Sequence, residues 1–139
     1  MTRFVLDASF AMTWVIEIER TPETLRYFDE LTLGEVTAMV PAIWPEEMCN
    51  VLLTVERSRK ITAAQAAEWI DVLKDLPVDI APPSLEESLG EVRGLAQAHG
   101  LTAYDARYLH LAKREEIELA TRDKQLMAAA RKIGVKLVT

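Results

Sequence analysis

Short apolar runs alternate with amphipathic stretches along this chain, and that alternation narrows its possible folds more than any other feature. RFVL (3–6), TAMV (37–40), VDIA (78–81), ELAT (118–121) and VKLV (135–138) have the length and side chains of strands. Between them, residues 8–18, 22–32, 43–59, 62–75, 84–99, 102–115 and 123–133 carry helical periodicity. Pro22 stands where a helix should start, and Gly100 and Gly134 where helices should stop. This pattern predicts an α/β fold, a three-layer α/β/α sandwich with a mainly parallel central sheet of about five strands. Strands covered on both faces can be apolar throughout, as FVL and KLV are. APPS at 81–84 is the sharpest break, but it is too short to separate domains, so residues 1–139 are expected to form one.

Composition removes several classes. Half of the residues are hydrophobic, with only 5 Gly and 6 Pro, which suits a packed globule rather than a disordered chain. The single cysteine, Cys49, has no partner for an internal disulfide, as expected in a reducing compartment. Asp7 interrupts the apolar start before a signal sequence can form, and no apolar run is long enough to span a bilayer. A cytoplasmic location with no membrane partner is expected. The net charge of −6 argues against a general nucleic-acid binder. It is unevenly spread, however: residues 103–139 hold eight Lys/Arg against five Asp/Glu, a basic end on an acidic body.

In parallel sheets, ligands bind beyond the carboxyl ends of the strands, where the following helices begin. Acids recur at that kind of position. Asp7 follows RFVL, and Asp123 follows LATR. Glu46 and Glu47 lie in the first turn of the helix after TAMV, and Asp105 in the first turn of the helix after Gly100. Each has an ordinary explanation, because Asp is a favoured N-cap and acids suit helix N-termini. Thr102 to Asp105 even has the spacing of a capping box. Capping does not, however, require an acid on the apolar face that Asp105 shares with Leu101, Tyr108, Leu109 and Ala112, nor one at the end of a buried strand.

Helix geometry separates the two neighbouring glutamates. Trp44, Met48, Val51, Leu52 and Val55 form an apolar stripe. At about 100° per residue, Glu46 points away from it, while Glu47 lies at its border with Asn50 one turn on. If Asp7, Glu47, Asp105 and Asp123 converge, they must protonate, splay apart or bind a cation, since two unit charges about 4 Å apart repel by roughly 4 kcal/mol at an effective dielectric near 20. Carboxylates, an amide and hydroxyls are hard oxygen donors, which favour Mg²⁺ or Mn²⁺. Cys49, His99 and His110 lack zinc-ligand spacing; His99 reads as a residue of a helix end and His110 as one of the surface or boundary. Two rivals remain. A phosphoryl-transfer domain, phosphatase or receiver, uses a similar sheet, but Ser9 stands where an aspartyl phosphatase needs its second Asp, and Asp79 is poorly placed for a receiver. In a non-catalytic binding module the acids would only cap helices.

The blocks VLDAS, PAIWPEEMCNVLL (41–53), HGLTAYDARYLHLAKR (99–114) and LATRDKQL (119–126) together resemble a PIN-domain ribonuclease, and more narrowly a VapC-type toxin of a toxin–antitoxin pair. The resemblance implies a quartet of acids, here Asp7, Glu47, Asp105 and Asp123, holding Mg²⁺ or Mn²⁺ for cleavage of RNA. Ser9, Asn50 and Thr121 match positions that support such a site. Arg107, Arg122 and Lys124 flank the acids as candidates for guiding the phosphate backbone. Many relatives carry a further acid after the last aspartate, where this chain has Gln125 and Met127. The resemblance also implies inhibition by a small antitoxin, VapB-like, and self-association as a homodimer.

Overall fold

The computed structural model describes residues 2–138. Four parallel strands form its sheet: β1 (Thr2–Leu6), β2 (Val36–Pro41), β3 (Val78–Ala81) and β4 (Glu118–Ala120), in the order β3-β2-β1-β4. Eight α-helical segments surround it: α1 (Ala8–Val15), α2 (Pro22–Thr32), α3 (Trp44–Arg57), α4 (Ala63–Asp75), α5 (Leu85–Glu87), α6 (Arg93–His99), α7 (Ala103–Glu115) and α8 (Lys124–Ile133). This is the α/β/α arrangement expected. The sheet is one strand short, because residues 135–138 contribute a single parallel bridge, Leu137 to Leu119. Two hydrogen bonds make it, from Leu119 N to Lys136 O and from Val138 N to Leu119 O. The left-handed Gly134 (φ 80°) ends α8, and only the few residues that follow it run beside β4.

Register places the strand ends together. Thr2 pairs with Val36 and Val5 with Met39, while Leu6 pairs with Ala120 and Pro41 with Ala81. β1 is therefore central, and the chain reaches β2 on one side of it and β4 on the other, a topological switch point. Phe4, Val5 and Leu6 are all buried, as a strand covered on both faces requires. α7 packs across β1, β2 and β4 and against α6 and α8; α1 packs against α2 and α3.

Local sequence explains most helix ends. Thr21 and Thr62 make capping boxes with Thr24 and Gln65, and Pro22 occupies the first position of α2. Gly100, with φ 64°, closes α6. Two expected helices differ. The first ends at Val15, followed by a 3₁₀ turn at Glu17–Glu19, and the stretch 84–99 is divided by a π-helical segment, Ser88–Val92. No described helix is long and apolar enough to cross a membrane.

Candidate active site

Asp7 sits where β1 hands over to α1, and its backbone N–H donates to Ala120 O across the strand ends at 2.9 Å. Asp7 as a whole is only 4% exposed, and its carboxylate points into a network of protein hydroxyls. It does not cap α1; it turns to the adjoining strand end instead. The Ser9 hydroxyl donates to Oδ2 at 2.6 Å and the Thr121 hydroxyl to the same oxygen at 2.7 Å. These hydroxyls accept in turn from the backbone N–H groups of Arg122 (2.9 Å) and Asp123 (3.1 Å). One oxygen of Asp7 is thus fixed by a chain of bonds joining the ends of β1 and β4. The other, Oδ1, accepts none of these bonds.

Glu47 is half-buried on α3, as its position beside the apolar stripe implies, and Glu46 is exposed. The buried Tyr108 of α7 donates its phenolic hydrogen to Glu47 Oε1 at 2.5 Å, which ties α3 to α7. Nothing local in the sequence marks this bond, which spans 61 residues. Tyr108 reads from its spacing as an apolar neighbour of Asp105. Asp105 is half-buried in the first turn of α7, whose cap is the Thr102 hydroxyl, accepting from Asp105 N at 3.1 Å. Asp123 does cap its helix, accepting from Leu126 N at 2.8 Å through Oδ1.

The four acids influence one another electrostatically. Burial raises the pKa of Asp7, the two hydroxyls lower it in part, and the charges of Asp105 and Asp123 raise it further. Burial likewise raises Glu47, opposed by the Tyr108 hydrogen bond and reinforced by Asp7 and Asp105. Asp105 is raised by burial and then by Asp123. Burial and the neighbouring Glu47 carboxylate keep Tyr108 protonated far above its ordinary range. Residues separated by more than a hundred positions therefore share one acidic locality at the carboxyl ends of β1, β2 and β4. Among the described residues, no three acidic, histidine or cysteine side chains already stand in ligating arrangement about one point. The quartet is gathered but splayed. Its donors are all carboxylate and hydroxyl oxygens, a set whose chemistry suits a hard divalent cation.

The other expected positions divide. Ser9 and Thr121 join the Asp7 network, whereas Asn50 is exposed on α3 and takes part in none of its hydrogen bonds. Arg107 is half-buried, and Arg122 and Lys124 are exposed near Asp123. His110 is not a surface residue: it is 4% exposed, with Nε2 2.6 Å from Glu91 Oε2, because the π-helical segment presents Glu91 to α7. A mainly apolar hollow of about 590 Å³ lies between α3, α4 and β3, and none of the quartet lines it.

The fold has counterparts among solved structures. The crystal structure of PAE2754 from Pyrobaculum aerophilum is 25% identical, with a TM-score of 0.71, over 99% of this chain and 84% of that one. FitAcB from Neisseria gonorrhoeae, 18% identical with a TM-score of 0.58 over 98% and 96%, shares the fold. No curated protein matches the chain in sequence. The model of the PIN domain aligns with residues 4–132, nearly the whole chain and all four acids, and the protein belongs to the PIN domain family.

Proposed function

We propose that this protein is a metal-dependent endoribonuclease, the toxin of a toxin–antitoxin pair. PIN domains as a family are nucleases. The observation that carries the reading is the convergence of Asp7, Glu47, Asp105 and Asp123, mutually repelling, at the sheet's switch point. Carboxylates kept this close destabilise the apo fold, and a divalent cation relieves that strain. Asp7 and Asp105 would hold Mg²⁺ or Mn²⁺ directly, with Glu47 and Asp123 acting through water or orienting the attacking water. The ion, when bound, acidifies water and offsets charge that develops on the phosphoryl oxygens.

The chain's own residues do the remaining work. Ser9 and Thr121 hold Asp7 Oδ2, which leaves Oδ1 as the ligand oxygen. Tyr108 holds Glu47 at its carboxylate and sets the spacing of α3 and α7. Arg107, Arg122 and Lys124 guide the backbone of the RNA. An antitoxin that covers this acidic locality would silence it, and the active form is a homodimer.

Cleavage of a panel of structured RNAs with and without Mg²⁺ tests the chemistry, with Asp7→Asn and Asp105→Asn as controls. Cleavage only by the metal-supplemented parent supports the proposal. Activity that survives EDTA and both substitutions refutes it. Co-expression with the product of the adjacent small gene tests the partner; recovery of active enzyme with no bound polypeptide counts against it.

A further inference from the structure

Beside the acids lies a separate slot of about 320 Å³, at the lower end of the range of small-ligand pockets, about 300–1,000 Å³. Its walls come from the β2–α3 turn (Ala42, Ile43), the π-helical segment (Ser88, Val92) and the first turns of α7 (Tyr104, Arg107). The slot therefore borders the starts of the two helices that carry Glu47 and Asp105. Val92 is buried and Ile43 half-buried, which gives an apolar floor. Tyr104, by contrast, is 62% exposed, an aromatic face that folding leaves uncovered. Arg107 lies one helical turn on, on the same side of α7. Its guanidinium makes no salt bridge among the described residues, although it lies within electrostatic reach of Glu87. The Ser88 hydroxyl donates to Ser84 O at 2.7 Å, so its lone pairs remain as an acceptor on the wall.

An apolar floor, an exposed aromatic residue, a planar cation and one polar acceptor form a combination that can hold an unstacked nucleobase and its phosphate. A π-helical turn is also a frequent mark of a functional site. The slot is far too small for a protein helix. We infer that this slot is a nucleobase subsite, in which an RNA base stacks on Tyr104 over the Ile43–Val92 floor while Arg107 holds an adjoining phosphate. The inference rests on the ribonuclease reading above, and it assigns Tyr104 and Arg107 to substrate positioning next to the reacting phosphate.

Binding without chemistry tests it. Fluorescein-labelled RNA ten-mers of each base, and an abasic ribose-phosphate ten-mer, are titrated by anisotropy in low salt with EDTA, so that no metal takes part. Tyr104→Ala should weaken the tightest-bound ten-mer by roughly 5- to 150-fold, the range of base–aromatic stacking. Tyr104→Phe should bind within about threefold of the parent, and the abasic strand should bind the parent no better than RNA binds Tyr104→Ala. Arg107→Ala should weaken all ten-mers alike and lower the salt slope by about 0.7, the loss of one single-strand phosphate contact. Unchanged melting curves confirm that each variant folds. Equal binding of RNA by the parent and Tyr104→Ala, equal binding of abasic strand and RNA by the parent, or no measurable binding by the parent would overturn the inference. Absence of metal-dependent cleavage would instead count against the function proposed above and leave this binding result standing.

Discussion

Replacing Asp7 by Asn should make the protein more stable while it abolishes activity. The two hydroxyl bonds converge on one oxygen, Oδ2, at 2.6 and 2.7 Å. An asparagine oxygen in that place can accept both, so the local geometry survives. What disappears is a buried charge facing Asp105 and Asp123. Two carboxylates about 6 Å apart repel by roughly 3 kcal/mol at an effective dielectric near 20. Salt and the partial exposure of Asp105 and Asp123 reduce each repulsion to on the order of 1 kcal/mol. Weaker hydrogen bonds to a neutral amide take back about 1 kcal/mol. A net gain of about 1 kcal/mol remains, or a rise in Tm of roughly 3–5 °C. Because burial raises the folded-state pKa of Asp7, the native protein binds this proton more tightly than the unfolded chain. The penalty is therefore present above the raised folded pKa and vanishes as the pH falls into the ordinary range of an aspartate. Melting curves of parent and variant in EDTA should diverge at pH 7.5 and converge near pH 4. A lower Tm for Asp7→Asn at pH 7.5 would refute the claim that the acids strain the apo fold.

Mg²⁺ or Mn²⁺ at about 100 times its Kd should stabilise the parent by roughly 2.7 kcal/mol and leave Asp7→Asn almost unmoved, read as Tm by calorimetry. The shift should shrink at pH 5, because protons compete for carboxylates whose pKa is raised. Tyr108→Phe keeps the buried ring but deprives Glu47 of its donor, and should cost about 1–2 kcal/mol in denaturant unfolding. Since that bond lowers the pKa of Glu47, its loss should also move the acidic limb of the pH–rate profile to higher pH. Gly100→Ala should cost about 1 kcal/mol, a purely conformational penalty at φ 64°, because nothing lies within 4 Å of the added carbon.

Much of this architecture is legible in the sequence because its determinants are local. A buried parallel strand such as RFVL, a Thr21–Pro22 cap and a glycine at the end of a helix each speak through neighbouring residues, and the elements fall close to where they are expected. The border position of Glu47 and the exposure of Glu46 likewise follow from 100° per residue. What remained hidden depends on distance along the chain. Tyr108 reads as one more apolar residue until α3 is laid beside α7, and His110 as a boundary residue until Glu91 meets it. The π-helical turn leaves no periodic trace, since five residues are too few to shift a helical pattern visibly. Asp123 shows why a capping role and membership of the acidic quartet need not exclude each other: one oxygen caps α8, and the charge still reaches Asp7 and Asp105.

The sheet order carries a consequence for biosynthesis. β4 lies along the free edge of β1, and Thr121 and Asp123 follow it immediately. A chain synthesised only as far as residue 100 has Asp7, Ser9 and Glu47 but neither the second tethering hydroxyl, that of Thr121, nor the last two acids. If RNA is the substrate, a competent site thus exists only once β4 has docked against β1, so the last acids to be made are also the last to be placed.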